Sequence, residues 1–239
     1  MNEYAFAFIF LGAIITLIGI KEFKLKNTIQ DLPTSKVRSL AVGFVELFGK
    51  IVPTMKKELL KSLFSEKNCV YYDCKIERYQ SSKNGGHWIT IFHEIKRLEF
   101  FLKDNTGSVL VNPNFAQLKL SPSFKLTTGF GKKLNDNLLR VMSEKKIHKW
   151  GQKRFTEYIL TPDNEVYILG TTMINPDVNN ALKNEDNLII QKGNFNRMFL
   201  ISDSNEKNFL KKTITNMILC FIFGIPTLIF GLFLLFTGV

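Results

Sequence analysis

The side chains best suited to chemistry in this chain are few and scattered. Cys69 and Cys74 flank the tetrapeptide VYYD. A separation of five puts them on opposite faces of a strand, where they do not share a zinc ion. They are expected as small buried apolar residues. His87 and His93 are six apart, so one strand sets both on the same face. Two imidazoles need further ligands to hold a metal, and Glu94 points the other way. Arg154 and Glu157, three apart in RFTEYIL, face opposite sides of a strand. Asp104 precedes Asn105, Thr106 and Gly107. That is the spacing of a turn aspartate, whose carboxylate bonds its own backbone, rather than of a general acid or base. GFGKK at 129–133 lacks the six-residue glycine spacing and terminal Ser or Thr of a phosphate loop. No Ser, Cys or Lys has the neighbours of an activated nucleophile. No catalytic residue, metal set or cofactor motif is therefore expected.

Aromatic residues offer the other chemistry. Tyr71, Tyr79, Trp88 and Phe92 lie in two consecutive strand-like runs, with Phe101 in the next. On an exposed basic face they would stack flat groups; in a barrel interior they would fill the core. The first four are the candidate binding surface.

The elements that must position these residues are legible in outline. Gly43–Val52 alternates as a strand with a glycine kink at Gly49. Val70–Gln80 and His87–Ile95 flank the turn signal SSKNGG and should form a hairpin. Leu98–Leu102, the Asp104–Thr106–Gly107 turn and Ser108–Val111 follow. Leu134, Leu138, Leu139 and Met142 share one helix face, so a helix is expected over Leu134–Ile147. Lys145, Lys146 and His148 near its end suit the helix dipole. Arg154–Leu160 with Val166–Leu169, and Leu188–Gln191 with Met198–Ser202, read as two more hairpins. A short helix is expected through Lys36–Leu40, a brief helix or turn through Lys56–Phe64, and a linker through Lys24–Leu32. About eight strands with one or two helices, not in alternation, give an α+β fold. It is mainly antiparallel β, in an OB-like or barrel-like domain.

Two apolar runs bracket this domain. Tyr4–Ile20 has 17 uncharged residues and Met217–Val239 has 23. About 20 span a bilayer core, so residues 1–20 and 214–239 are expected to be transmembrane helices around a domain at 21–213. The first run has an acidic start and no small-x-small cleavage pattern, and reads as a retained anchor. Ala5, Gly12 and Gly19 recur every seven residues, as do Gly224, Gly231 and Gly238. This spacing keeps small residues on one helix face, so Gly12, Gly19, Gly224 and Gly231 are expected to pack the two spans as a hairpin. Pro226 should kink the second.

All 32 Lys and Arg and 20 of the 21 Asp and Glu fall between the spans, leaving that segment at +12. Such a balance suits acidic partners, anionic headgroups first. The bilayer is the first expected partner, a protein or small ligand at the domain surface the second. Nucleic acid is the less favoured. Lys21, Lys24 and Lys26 follow the first span, and Lys207, Lys211 and Lys212 precede the second; the outer ends carry Glu3 alone. Positive flanks stay inside, which predicts a cytoplasmic domain with both termini on the opposite side.

Several blocks together are similar to a known family. PTSKVRSLAVGFVELFGK at 33–50, CVYY at 69–72, FFLKDNTGSVLVNP at 100–113, RFTEYIL and VYILG at 154–170, and FLISD at 199–203 resemble the GIDE domain. This domain is also called BAM, "beside a membrane", and belongs to the mitochondrial ubiquitin ligase activator family. The resemblance implies two spans around the domain and a link to ubiquitin ligation. In those ligases a RING finger binds two zinc ions through a run of Cys and His. No CxxC occurs in this sequence, so ubiquitin transfer by this chain alone is not expected. The functions weighed are a non-catalytic membrane-tethered binding module, an accessory that works with a separate RING partner, and an OB-like nucleic-acid or nucleotide sensor.

The predicted orientation has a direct test. With Cys69, Cys74 and Cys220 replaced, Ser82→Cys should resist an impermeant maleimide on intact cells or organelles and react once the membrane is opened. Immediate reaction would place the domain outside.

Overall fold

The computed structural model describes residues 2–54, 58–82, 85–129, 134–162, 164–176, 178, 187–193, 198–204 and 206–237. The chain divides into two compact units: Met1–Pro33 with Asn205–Val239, and Thr34–Ser204.

The first unit pairs two long helices, α1 (Asn2–Asp31) and the last helix, Glu206–Thr237. Both are long and apolar enough to cross a membrane, over Tyr4–Asp31 and Lys207–Thr237. Lys24–Asp31, expected as a linker, continues α1; Pro33 disfavours helix at Leu32 and ends it there. The helices are antiparallel, with the glycines between them. A Cβ on Gly12 would lie 2.5 Å from the Leu228 backbone nitrogen, and one on Gly231 would lie 2.7 Å from that of Ile9. Gly224 faces Thr16, and Gly19 faces Cys220 and Phe221. Gly238 lies outside the described residues. Phe8 and Phe230 meet edge to face at 5.3 Å. Pro226 sits inside the last helix, which continues through it.

The second unit holds thirteen described strands, one α-helix and one turn of 3-10 helix. A five-stranded barrel is built from β1 (Gly43–Pro53), β6 (Phe100–Lys103), β7 (Ser108–Val111), β11 (Glu165–Ile174) and β12 (Leu188–Gln191). Its order is β1-β6-β7-β12-β11, and β11 pairs back to β1 over Gly43–Lys50 and closes the ring. Only β7 and β12 are parallel within it. This is an OB-like barrel. Alternate residues of each strand fill its interior: Leu47, Ile51, Phe100, Leu102, Val109, Val111, Val166 and Ile168 are all fully buried. Two short strands extend the sheet: β13 (Leu200–Ser202) joins β11, and β8 (Gln117–Lys119) joins β13.

Two excursions leave the barrel and pair with each other. One departs between β1 and β6 and carries the short β2 (Leu60–Lys61) and β3 (Asn68–Cys69), then the long hairpin of β4 (Tyr71–Ser82) and β5 (Gly85–Arg97). The other departs between β7 and β11. It carries β8, β9 (Phe124–Thr127), α2 (Asp136–Glu144) and β10 (Lys153–Leu160). Together they form a four-stranded antiparallel sheet, β5-β4-β10-β9. Helix α2 is capped by Asn135, whose side chain accepts from the Leu138 N–H. It packs Leu138, Val141 and Met142 with Phe64, Tyr72, Ile76 and Phe155 in a second core.

Three expectations change. Leu60–Lys61, placed in a helix or turn, is strand, while residues 55–57 lie outside the described set. β10 and β11 are consecutive but belong to different sheets, so they do not form a hairpin. β12 and β13 do not pair with each other either; both lie along one edge of β11, against its C-terminal and N-terminal halves. Periodicity marks a strand but does not name its partner.

Gly19→Cys should form a disulfide with native Cys220 under mild oxidation in membranes, since a Cβ at Gly19 would sit 3.1 Å from the Cys220 Cβ. Adding Gly231→Leu should slow that cross-link several-fold. An unchanged rate would show that Gly231 does not set the approach of the helices.

Candidate functional site

The four-stranded sheet has two faces, and β4 shows how they differ. Tyr72, Cys74 and Ile76 point toward α2 and are buried. Tyr71, Asp73, Lys75, Glu77, Tyr79 and Ser81 alternate onto the outer face. The barrel covers one end of that face. Tyr71 lies there in the barrel core, only 2% exposed, so it is removed from the candidate surface. Tyr79, at the open end, is 37% exposed.

A bulge decides the fate of β5. Ile76 pairs with Phe92 and Glu77 with Thr90, so Ile91 is the extra residue. A bulge reverses the side-chain parity beyond it. Trp88 and Phe92, four apart, therefore lie on opposite faces. Phe92 packs under α2 with the Lys145 ammonium 5.2 Å from its ring. Trp88 stays outside beside Tyr79, ring centres 5.3 Å apart. His87 and His93 are separated in the same way: His87 pairs with Gln80 and His93 with Lys75. His93 instead bonds Asp73 at 2.8 Å.

Around Trp88 the outer face is a charge network. The Arg154 guanidinium lies 4.6 Å from the Trp88 ring centre and donates to Glu77 at 2.6 Å. Lys75 reaches Glu77 at 3.1 Å. The Arg154 hydrogen bond outweighs burial and, with Lys75, holds the Glu77 carboxyl below its ordinary value of 4.5.

The open end of the sheet carries a groove of about 610 Å³, lined by Tyr79, Ser81, Gly129 and the Lys149–Gln152 turn. β10 pairs with β4 as far as Lys153 opposite Arg78, and the Tyr79 N–H donates to the Gln152 carbonyl at 2.9 Å. There the chain swings away at Gly151, whose φ of +83° favours glycine. Lys153 is only 2% exposed, and its ammonium donates to the Trp150 carbonyl at 2.5 Å and the Gly151 carbonyl at 3.2 Å. Burial, and then Arg78, lower its pKa. The turn fixed this way holds Trp150 90% exposed. Sequence reasoning missed Trp150. The signal was present in KKIHKWGQKR, a Trp set among cations just before a Gly, but its lysines were assigned to the helix end.

The other chemistry-bearing residues do structural work. Asp104 Oδ1 accepts from the Thr106 N–H and hydroxyl and from the Gly107 N–H, and Oδ2 accepts from the Val37 N–H of the single turn of 3-10 helix at Val37–Ser39. Burial raises the Asp104 pKa, and these four donors more than offset it. Cys69 and Cys74 were expected on opposite faces, yet both line the second core. The chain bends at Val70 between β3 and β4, so strand parity does not carry across. Cys74 donates to Glu157 at 3.2 Å. Burial, and then Glu157, push Cys69 up to about 12 and raise Cys74 as well, so neither is a thiolate at neutral pH. Glu157 is fully buried and also accepts from the Phe64 and Ser65 N–H groups and the Ser65 hydroxyl. Among the described residues, no group of three His, Cys, Asp or Glu is placed to hold a metal.

The Glu77 network gives a pH test. A carboxyl held below its unfolded value stabilises the fold fully above about pH 4.5 and loses that contribution as the pH falls through the lowered value. Glu77→Gln should therefore lower the melting temperature at neutral pH, by roughly 2–4 °C for each kcal/mol lost. The gap from wild type should narrow below pH 4.5. A gap of constant size would show that the carboxylate is not what Arg154 and Lys75 stabilise.

With this geometry in place, comparison with known proteins gives one match. The model of a family described as "GIDE: E3 Ubiquitin ligase" matches residues 75–236, more than half of the chain. No curated protein and no solved structure matches. The matched span takes in β5, the later barrel strands, β10, the Trp150 turn and the last helix, and the chain belongs to the GIDE family.

Proposed function

We propose that this chain is a non-catalytic, membrane-tethered binding module of GIDE type. Its two long apolar helices serve as the tether, and the barrel carries the sheet whose open end recognises a partner. The observation that carries this is Trp150. Its indole is 90% exposed and lines an open groove together with Tyr79, so two aromatic rings stand at one concave surface. Aromatic anchors of this kind dominate protein interfaces. Around it, each titratable group with a strong environment is engaged in the fold: Glu157 in the second core, Asp104 in its turn, Glu77 between two cations. We place the domain on the cytoplasmic side, from the lysines that flank both apolar runs.

A second reading follows from the family's description as an E3 ubiquitin ligase. In it the same surface serves an accessory role, holding a substrate or a separate RING protein beside the membrane. Both readings use the groove. They differ in whether the captured partner becomes conjugated to ubiquitin.

A photo-crosslinking residue in place of Ser81 should give a discrete adduct in membranes, and Trp150→Ala should remove it. The same probe in place of Lys125, on the exposed edge of the sheet, should give none. Equal adducts at both positions, or an adduct indifferent to Trp150, would overturn the groove as the recognition surface.

A further inference from the structure

The chemistry of the groove specifies its occupant further. Residues alternate in the direction of their main-chain N–H and C=O along an antiparallel strand. Tyr79 aims its N–H at Gln152, so Ser81, two residues on, aims its own N–H and C=O to the same side. On that side β10 has already ended at Lys153, and no described strand pairs with Ser81 there. Ser81 itself lines the groove. Its main-chain donor and acceptor therefore open into the groove, beside the exposed Trp150 ring.

Among the described residues, the charges around this edge have one sign, and no lining residue is acidic. Lys149 lines the groove, and the Arg78 side chain flanks Gly151, its Cγ 3.9 Å from where a Cβ there would lie. Among the described residues neither Lys149 nor Arg78 has a carboxylate partner, and Glu77, the nearest acid on β4, is held by Lys75 and Arg154. The buried Lys153 ammonium is satisfied by two carbonyls and fixes the turn rather than facing a ligand.

Building on the binding-module reading, we infer that the groove takes an extended, acidic segment of a protein partner by strand addition at Ser81. The segment exchanges a pair of main-chain hydrogen bonds with Ser81. It sets an apolar side chain against Trp150 and Tyr79, and carboxylates toward Lys149 and Arg78. An open main-chain edge selects peptide over a nucleotide or a lipid headgroup, neither of which can continue a ladder.

The test uses the full chain in phosphatidylcholine nanodiscs. The probe is an acetylated, amidated heptapeptide alternating glutamate and valine, with phenylalanine at its centre. Binding should be saturable and should shift the tryptophan emission. Lys149→Glu combined with Arg78→Glu should weaken it at least tenfold, and Trp150→Ala as much, with Trp150→Phe retaining most of it. Methylating the alternate peptide nitrogens that face Ser81 should also cost at least tenfold, while methylating the others should not. Equal binding of the lysine-for-glutamate peptide would overturn the charge assignment. Indifference to methylation would overturn strand addition. Binding of phosphatidylserine vesicles or oligothymidylate through Lys149 and Trp150, with the peptide ignored, would overturn the inference outright. A Trp150-dependent adduct at Ser81 alongside no peptide binding would sink this inference alone; loss of both would sink the binding module with it.

Discussion

The domain depends on β1 pairing along both edges. Its N-terminal eight residues lie against β11, and its last four lie against β6, overlapping only at Lys50. Without the first pairing the barrel is an open sheet, and without the second its ends do not meet. Gly49 sits near this crossover. A Cβ there would come 2.6 Å from the Lys103 carbonyl, so a bare backbone is what lets β1 turn from one partner to the other. β11 has the matching demand. One of its edges serves β13 and then β12 while the other serves β1. Hydrophobic burial fills the ring, but this sharing of backbone edges defines it.

The four-stranded sheet inherits its geometry from the ring. β4 begins at Tyr71, whose side chain is part of the barrel core, and β10 ends at Leu160, which is buried in the same core and pairs with it. The two strands are thus fixed at the barrel and run outward to Ser82 and Lys153. A single strand face passes from closed packing at Tyr71, through the Lys75–Glu77–Arg154 network, to open aromatic surface at Tyr79 and Trp88. The family to which the chain belongs is described as an E3 ubiquitin ligase, and the Glu157, Asp104 and Glu77 carboxylates of this chain are each held within the fold by hydrogen bonds.

Local features were the most legible in the sequence. Asp104-Asn105-Thr106-Gly107 announced its turn because the bonds involved are within three residues. Gly43–Val52 and Ser108–Val111 announced themselves by alternation, and the two apolar runs by length. Features that depend on a distant partner were not legible. Nothing in RFTEYIL and VYILG shows that a short turn carries the chain from one sheet to another. Nothing in ITIFHEI marks Ile91 as a bulge, yet that one residue sends Phe92 inward and parts His87 from His93. The bend at Val70 brought Cys69 and Cys74 to one core against strand parity. Trp150 is the instructive miss: its exposure comes from a buried lysine three residues later, and no periodicity encodes that.

The two excursions have a consequence for how such a domain can diversify. Each leaves the barrel at a loop and returns to it, and the described lining of the groove comes from their far ends. Tyr79, Ser81 and the Lys149–Gln152 turn are absent from the barrel core. Substitutions or length changes at those tips leave ring closure untouched, so the barrel can be inherited unchanged while the surface of the groove drifts. Relatives built on this plan should share the barrel more faithfully than they share the side chains of the groove.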